Sequence, residues 1–175
     1  MDNRPMYRHE EANVLKRAIR RSAGWKPLSL FYSRTLHVLD TAVFRMTRGR
    51  TTFTAWLGGL PVAWITTTGA KSGAERTCPV LAIPADDGTL VVIASNYGQR
   101  HNPSWYHNLR ANPSATVLFD GTRREMTARE LEGEARERWY ERGIEIYPGW
   151  VQYRKRANRK IPVLELVTST AAGAS

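Results

Sequence analysis

The feature that most constrains the fold is a change in hydrophobic period that begins at Thr51. From there, apolar side chains recur at every second position in short runs, as expected for strands with one buried face. Glycine-containing turns separate several runs, at Gly58-Gly59, Asp86-Asp87-Gly88 and Gly121. The predicted strands are 51–57, 60–67, 76–84, 89–95, 115–120, 123–131 and 161–167. Six or seven short strands with hairpin turns favour a closed or nearly closed antiparallel barrel, mostly β with flanking helices (α+β), over a parallel sheet.

Two helices are predicted among the later strands. Asn102 followed by Pro103 is typical of an N-cap with proline at the first helical position, so a short helix is expected to about Ala111. A charged segment with aromatic residues on one side predicts a second helix over 132–146. The aromatic segment 147–153 follows it and is expected to be a loop or a short helix.

The N-terminal fifty residues carry most of the excess positive charge. The chain has a net charge of +10, and residues 1–50 contribute eleven Lys and Arg against four Asp and Glu. Helical spacing in 8–22 and 28–47 predicts either helices that pack with a solvated basic face or a basic amphipathic anchor on a membrane. The predicted organisation is a basic helical segment at 1–50, a barrel domain at 51–168 and a disordered tail at 169–175.

A glycine-containing turn between two predicted strands carries a cluster of positive charge. Gly69 and Gly73 permit a tight backbone path with exposed N–H groups, to which Lys71, Ser72 and Arg76 add two cations and a hydroxyl. Groups of this kind bind phosphate or carboxylate well. The turn is not a P-loop, because it has no Gly-Lys-Ser/Thr triplet. The alternative interpretation is an ordinary hairpin turn with exposed charges.

Further segments have the composition of a pocket for a planar ring. Ser95-Asn96-Tyr97-Gly98 ends an apolar strand with small and polar groups, which suits hydrogen bonds to the edge of a heterocycle. Trp105, Tyr106 and the aromatic residues of 147–153 can pack against a ring, although isolated aromatic residues are more often part of a core. A tyrosine in such a pocket can donate a proton to a substrate oxygen.

The sequence offers little covalent or metal chemistry of its own. Cys78 is the only cysteine, so no disulfide can form within the chain, and a reducing cytoplasm is the expected setting. The four histidines have no ligand spacing, so no metal site is predicted. No Ser-His-Asp or Cys-His set can be identified. If the protein is an enzyme, a cofactor is expected to supply the reactivity.

In three motifs the chain resembles the deazaflavin-dependent nitroreductase family, actinobacterial proteins that use reduced coenzyme F-420. The motifs occur in order within residues 38–168, and they are Thr67-Thr68-Gly69-Ala70-Lys71-Ser72-Gly73, Asn102-Pro103-Ser104-Trp105-Tyr106 and Tyr147-Pro148. The resemblance implies a split β-barrel like that of flavin-reductase-type proteins. It also implies coenzyme F-420 as the cofactor, with flavin mononucleotide (FMN) as the alternative.

The resemblance further implies which residues form the site. The charged members would meet the phosphate and acidic tail of the cofactor, and the strand residues would line its ring. The implied cofactor-binding set is Ala70, Lys71, Ser72, Arg76, Thr77, Cys78, Pro79, Val80, Leu81, Ile93, Ala94, Ser95, Asn96, Ser104, Trp105, Tyr106 and Asn108. The implied catalytic residues are Tyr147, Trp150 and Tyr153.

Two positions depart from the family pattern. A nitroreductase of the family has tyrosine at the position of Trp150, where it is linked to substrate binding and proton delivery, and members often have arginine at the position of Ala70. An indole N–H does not release its proton, so Tyr147 and Tyr153 remain as acids, and a flat acceptor is expected to stack on Trp150. The expected reaction is hydride transfer to a quinone, an enone or a nitro compound, with weak activity on bicyclic nitroimidazoles.

Other functions are consistent with the sequence alone. The protein can be a non-catalytic carrier of the same cofactor, which a lack of turnover with menadione or a cyclic enone would reveal. It can also bind an anionic membrane surface through residues 1–50, which retention on anionic liposomes would test. The expected location is cytoplasmic, and the sequence leaves open whether the N-terminal segment contacts the inner face of the cell membrane or packs on the barrel. No nucleic-acid partner is expected, and both a monomer and a homodimer are compatible with the sequence.

Overall fold

The computed structural model of the protein describes residues 59–169. In this range the strands are β1 Val62–Thr68, β2 Glu75–Pro84, β3 Leu90–Ile93, β4 Ser114–Phe119, β5 Thr122–Glu130 and β6 Val163–Thr168. The helices are a short 3-10 helix at Asn96–Gly98, α1 Ser104–Ala111, α2 Gly133–Ile146 and α3 Gly149–Ala157. The basic segment predicted at 1–50, the strand predicted at 51–57 and residues 170–175 of the predicted tail lie outside the described residues.

The strands form a closed antiparallel barrel in the order β1-β2-β3-β6-β5-β4. β1 closes the ring because it pairs with β2 along one edge and with β4 along the other. Tight turns at Asp86-Asp87-Gly88 and Gly121 connect β2 to β3 and β4 to β5, as predicted. The predicted barrel is therefore confirmed, and the ends of these six strands lie within two residues of the predicted ends.

Alternation of side chains across each strand divides the apolar residues between two clusters. The side chains that point into the barrel form the interior cluster, together with two residues of α1. Its members are Ala63, Ile65, Val80, Ala82, Leu90, Val92, Ala94, Tyr106, Leu109, Ala115, Val117, Met126, Leu164 and Leu166. Burial of such side chains stabilises the fold by about 25 cal/mol per Å² of apolar surface removed from water.

The opposite face of β3 and β6 is covered by α2 and α3, which form the outer cluster. From the strands this cluster takes Ile83, Val91, Ile93 and Val163, and from the helices Tyr140, Ile146, Tyr147, Trp150, Tyr153 and Ala157. All four residues of β3 are consequently buried, two on each face. A continuous apolar run, here Leu-Val-Val-Ile, is the pattern expected of a strand covered on both faces.

The helix α1 begins one residue later than predicted. Pro103 occupies the N-cap position with extended backbone angles, φ −68° and ψ 154°, so it is not the first helical residue and Asn102 is not the cap. The predicted cap was wrong by one position, whereas the helix and its end at Ala111 are confirmed. The aromatic segment 147–153 contributes the first turn of α3. Within the described residues, no helix combines the length and the hydropathy needed to cross a bilayer.

Gly143 of α2 permits the closest contact in the outer cluster, which leads to a stability prediction. A Cβ atom there would lie 2.6 Å from Cζ3 of Trp150 and 2.6 Å from Cδ1 of Ile93. Helix propensity alone would make Gly143→Ala stabilising by about 1 kcal/mol. We expect overpacking against the buried Trp150 ring to dominate, so that the free energy of unfolding falls by about 1–3 kcal/mol. Chemical denaturation measures the change.

The matched control is Arg138→Ala in the same helix. Arg138 is exposed, and its replacement is expected to change the free energy of unfolding by less than about 0.5 kcal/mol. A Gly143→Ala protein at least as stable as wild type would show that α2 and α3 leave room for a methyl group at this contact.

Candidate functional site

One edge of β2 is left open because its pairing with β3 ends early. β2 pairs with β1 from Glu75 to Leu81, but it pairs with β3 only from Ala82 to Pro84. On the side away from β1, residues 75–81 therefore have no strand partner in the described part of the chain. Backbone N–H and C=O groups on an open edge can bind a ligand. Pro79 lies within this stretch, and an edge of this kind is where a sheet tolerates proline.

The 94–101 loop begins where β3 leaves the ladder. Asn96, Tyr97 and Gly98 all have positive φ angles, of 47°, 55° and 74°. Glycine adopts such angles readily, whereas a bulky residue such as Tyr97 is strained there by about 1–3 kcal/mol. The Asn96 side-chain amide donates to the carbonyl of His101 at 3.1 Å and ties the loop across its own width. Strain that is held in place in this way is common at ligand-binding sites.

The turn between β1 and β2 lies at the other end of the open stretch and is fixed by α1. The Gly69 N–H closes the turn by donating to the carbonyl of Ala74 at 2.9 Å. Asn108 of α1 accepts from the Ala70 N–H at 3.0 Å through Oδ1 and donates to Oγ1 of Thr67 at 3.0 Å through Nδ2. A single buried amide thus positions the turn against the helix.

The two cations of this turn have no partner in the part of the chain that the structure describes. Lys71 and Arg76 are exposed, and neither side chain forms a hydrogen bond or an ion pair within residues 59–169. Ser72 is also exposed, and its Oγ accepts from the Ala74 N–H at 3.3 Å. Two unpaired cations beside a tight glycine turn have the chemistry to bind a phosphate or a carboxylate.

Trp150 belongs to the outer cluster rather than to an exposed wall. Its side chain is buried, with the residue only 2% exposed, and its Nε1–H donates to Oγ of Ser95 at 3.1 Å. Its carbonyl accepts from the Tyr140 hydroxyl at 3.0 Å. The expectation that a flat acceptor stacks on Trp150 is therefore corrected, because core residues cover the ring. In this structure Trp150 reaches the 94–101 loop through Ser95.

Tyr147 and Tyr153 form a buried hydroxyl pair with an oxygen–oxygen distance of 3.0 Å. Burial raises the pKa of Tyr147 well above its usual value, with a further rise caused by Tyr153. Burial also raises the pKa of Tyr153. Both phenols therefore stay protonated at neutral pH and can act as hydrogen-bond donors. The Tyr97 ring meets Tyr153 edge-on, with centroids 6.4 Å apart, and so connects this pair to the 94–101 loop.

The other predicted cofactor residues lie on both faces of the barrel. The interior cluster contains Val80, Ala94 and Tyr106, and Cys78 and Trp105 pack against it. The outer cluster contains Ile93, and Leu81 packs against it. Thr77 and Ser104 are exposed. The Tyr106 hydroxyl donates to Glu130 at 3.0 Å. Burial raises the pKa of Cys78 to about 12, so its thiol is unreactive at neutral pH. Nowhere in residues 59–169 do three metal-binding side chains cluster.

Three residues outside the predicted cofactor-binding and catalytic sets connect the parts of the site. Thr67 is 1% exposed and receives the Asn108 hydrogen bond. Arg156 donates to the carbonyl of Tyr97 at 2.6 Å, and Arg159 donates to four carbonyls of the 94–101 loop. Thr67 begins the first family motif, but nothing in the motif indicates a bond to Asn108. The arginines extend a basic segment typical of an exposed helix end.

Comparison with known proteins gives a consistent result. Residues 37–168 match the family described as F420H(2)-dependent quinone reductase. An F420H(2)-dependent quinone reductase of Mycobacterium tuberculosis is 32% identical over 133 residues, which cover 73% of this chain and 87% of that relative. A solved structure described as an F420-H2 dependent reductase (FDR-A) is 40% identical, with a TM-score of 0.56, over 61% of this chain and 93% of that chain. A domain-swapped dimer is 36% identical, with a TM-score of 0.59, over 72% and 94%.

The two hydrogen bonds of Asn108 predict different effects for two substitutions. Asn108→Ala removes both bonds, whereas Asn108→Asp keeps an oxygen for the Ala70 N–H and loses the donor to Thr67. We expect the Ala70 amide to lose hydrogen-exchange protection in Asn108→Ala and to retain it in Asn108→Asp. Stability should fall by about 1–3 kcal/mol in Asn108→Ala, because buried groups lose their partners.

Hydrogen exchange followed by NMR measures both variants. The Gly69 amide is the internal control, since it donates to a backbone carbonyl within the turn. Equal protection of the Ala70 amide in wild type and Asn108→Ala would show that Asn108 does not fix the turn.

Proposed function

Since the chain belongs to the F420H(2)-dependent quinone reductase family, we propose that its acceptor is a small quinone bound beside the 94–101 loop. As a member of this family the protein is an oxidoreductase that uses reduced coenzyme F-420. When bound, the reduced cofactor supplies a hydride from its central ring carbon. The side chains of the protein bind, orient and polarise the reactants. Enones and nitro compounds are further candidate acceptors.

The charge of the β1–β2 turn fits the anionic tail of the cofactor. Coenzyme F-420 carries a phosphate and an acidic tail, and Lys71 and Arg76 are available because no residue in 59–169 pairs with them. Asn108 fixes the turn without using either cation. We therefore assign Lys71, Ser72 and Arg76 to the tail, where charge-assisted hydrogen bonds are the strongest polar contacts available.

The open edge of β2 fits the ring of the cofactor. If the β2–β3 register continued, Leu81 would pair with Ile93 and Val80 with Ala94, but the ladder stops at Ala82 and Val92. The gap in the ladder thus falls at the strand residues implied for the ring. Backbone groups of 75–81 and the polar residues at the start of the 94–101 loop can bind the polar rim of a heterocycle there.

The hydrogen bond from Trp150 leaves the Ser95 hydroxyl able to donate to a quinone. The indole N–H is only a donor, so the Ser95 hydroxyl accepts from it and keeps its own proton for another acceptor. A quinone carbonyl oxygen is such an acceptor and gains negative charge as hydride arrives. Tyr147 and Tyr153 remain protonated behind the loop, but both are buried and bond to each other, so we expect the product to take its proton from solvent.

The observation that carries this proposal is the open stretch of β2 between a turn with unpaired cations and a loop with a directed hydroxyl. Its test is fluorescence titration with coenzyme F-420 and with FMN side by side, followed by turnover of menadione with the reduced cofactor. Tighter binding of coenzyme F-420 and measurable turnover are expected. Binding without turnover of menadione or a cyclic enone would instead indicate a carrier.

Removing either cation of the turn should weaken cofactor binding. Lys71→Ala and Arg76→Ala are each expected to cost about 1–3 kcal/mol of binding free energy, the range of hydrogen bonds to charged groups. Lys155→Ala is the charge-matched control, because Lys155 is exposed on α3 and distant in sequence from the turn. Fluorescence titration gives the dissociation constant of the cofactor for each variant. Wild-type values in both Lys71→Ala and Arg76→Ala would show that the turn does not bind the cofactor.

Because Trp150 and Ser95 share one hydrogen bond, substitutions at these two residues should have non-additive effects on quinone reduction. Trp150→Phe keeps a buried ring but removes the donor, and Ser95→Ala removes the hydroxyl. Each is expected to lower kcat/KM for menadione by about 2–10-fold, as for loss of one neutral hydrogen bond. The double variant should be no worse than Ser95→Ala, because both changes remove one interaction.

Trp139→Phe is the control for replacing a tryptophan, since Trp139 of α2 is partly buried and makes no hydrogen bond within the described residues. Strictly additive effects of Trp150→Phe and Ser95→Ala on kcat/KM would mean that the indole does not act through Ser95.

A further inference from the structure

Arg159 donates to four backbone carbonyls of the 94–101 loop. Its Nη2 atom lies 3.0 Å from the carbonyl oxygen of Ala94, 3.2 Å from that of Ser95 and 3.3 Å from that of His101. Its Nε lies 3.1 Å from the carbonyl oxygen of Gln99. One planar guanidinium therefore gathers both ends of the loop, a geometry that a lysine ammonium cannot reproduce.

A second arginine holds the middle of the loop from the same side. Arg156 of α3 donates to the carbonyl of Tyr97 at 2.6 Å. The backbone of the loop lies close to α3, because a Cβ atom on Gly98 would be 3.0 Å from Cα of Tyr153 and 2.9 Å from Nε of Arg156. Five carbonyls of the loop are thus bound by two arginines, while the loop carries its three positive φ angles.

The end of α3 explains how Arg159 reaches the loop. Asn158 is the C-cap residue and has left-handed angles, φ 50° and ψ 38°, which end the helix and redirect the chain. Asparagine tolerates this conformation better than most residues. The chain then continues into β6 by way of Arg159, whose guanidinium is partly buried. Burial lowers the pKa of Arg159, but an arginine stays charged at neutral pH in any case.

We propose that Arg159 is the positioning residue for hydride transfer, which it serves by holding the 94–101 loop, with Ser95 and Asn96, in its strained form against α3. This inference rests on the proposed function, since it assigns the loop to the cofactor ring and the acceptor. Arg159 touches neither reactant in this assignment. It acts through the loop carbonyls, so its loss should affect the geometry of the reaction more than the binding of the cofactor tail.

The separation of the two sites makes the proposal testable. The tail cations lie on the β1–β2 turn, which is fixed by Asn108, whereas the loop is fixed by Arg159. Arg159→Ala should therefore lower kcat by a larger factor than it raises the cofactor dissociation constant. Lys71→Ala should raise the dissociation constant and leave kcat at saturating cofactor nearly unchanged. A displacement of reacting groups by about 1 Å can cost about a hundredfold in rate, so a fall in kcat of about ten- to a hundredfold is expected for Arg159→Ala.

Chemical rescue separates positioning from general destabilisation. Guanidinium chloride at about 20 mM, a concentration far below the molar range that unfolds proteins, can refill the space left in Arg159→Ala. It should restore a large part of kcat with menadione, while equal sodium chloride should not. Lys155→Ala, which removes a neighbouring exposed cation, should keep wild-type kcat with or without guanidinium.

Arg159→Lys provides a second test if the alanine variant does not fold. It keeps the charge but cannot span four carbonyls, so kcat should still fall by about tenfold. Wild-type kcat in Arg159→Lys, or in folded Arg159→Ala, would overturn the proposal. A loss in Arg159→Ala that guanidinium does not restore would also overturn it. The wild-type reaction with menadione is measured before any variant is assayed. No turnover there would refute the proposed function itself, separately from the role of Arg159.

Discussion

The early end of the β2–β3 ladder is the constraint on which the rest of the structure depends. Backbone groups that leave a ladder must find other partners when they are buried. On the β2 side, residues 75–81 keep an open edge, which is a liability for aggregation unless something covers it. On the β3 side, five carbonyls of the 94–101 loop accept hydrogen bonds from Arg156 of α3 and from Arg159, which follows α3. The arginines supply the donors for these carbonyls from within the chain, whereas the open edge of β2 is largely exposed and is the place proposed for the cofactor ring.

The barrel could be predicted from the sequence because it depends on local signals. Period-two runs and turns such as Asp86-Asp87-Gly88 placed six strands to within two residues. The gap in the ladder could not be predicted, because the apolar run 89–95 continues past Ile93 with no residue that marks a break. The left-handed conformation of Tyr97 was equally hidden, since only long-range contacts with α3 hold an aromatic residue there.

The site residues illustrate the same limit of sequence patterns. Lys71 and Arg76 were identified because a charged glycine turn is a local feature, and the structure leaves them exposed. Trp150 was expected in a wall and is part of the core, since an aromatic run looks the same whichever way its rings point. Its burial changes what the departure from tyrosine means. A tyrosine hydroxyl can donate or accept, whereas the indole can only donate, so the substitution fixes the direction of the hydrogen bond with Ser95.

The positive charge of the described chain serves two separable purposes. Arg136, which is 5% exposed, donates to the carbonyl of Ile161, and Arg156 and Arg159 donate to the 94–101 loop. In these cases the cation is a multiple donor for backbone oxygens, and a planar fork is what the geometry requires. Lys71 and Arg76 have no such partner within residues 59–169. Net charge cannot distinguish the two groups, but hydrogen-bond partners can. The partnered arginines hold backbone oxygens of the described residues in place, whereas Lys71 and Arg76 keep an exposed charge there, which is the reason for proposing them as ligands of the cofactor tail.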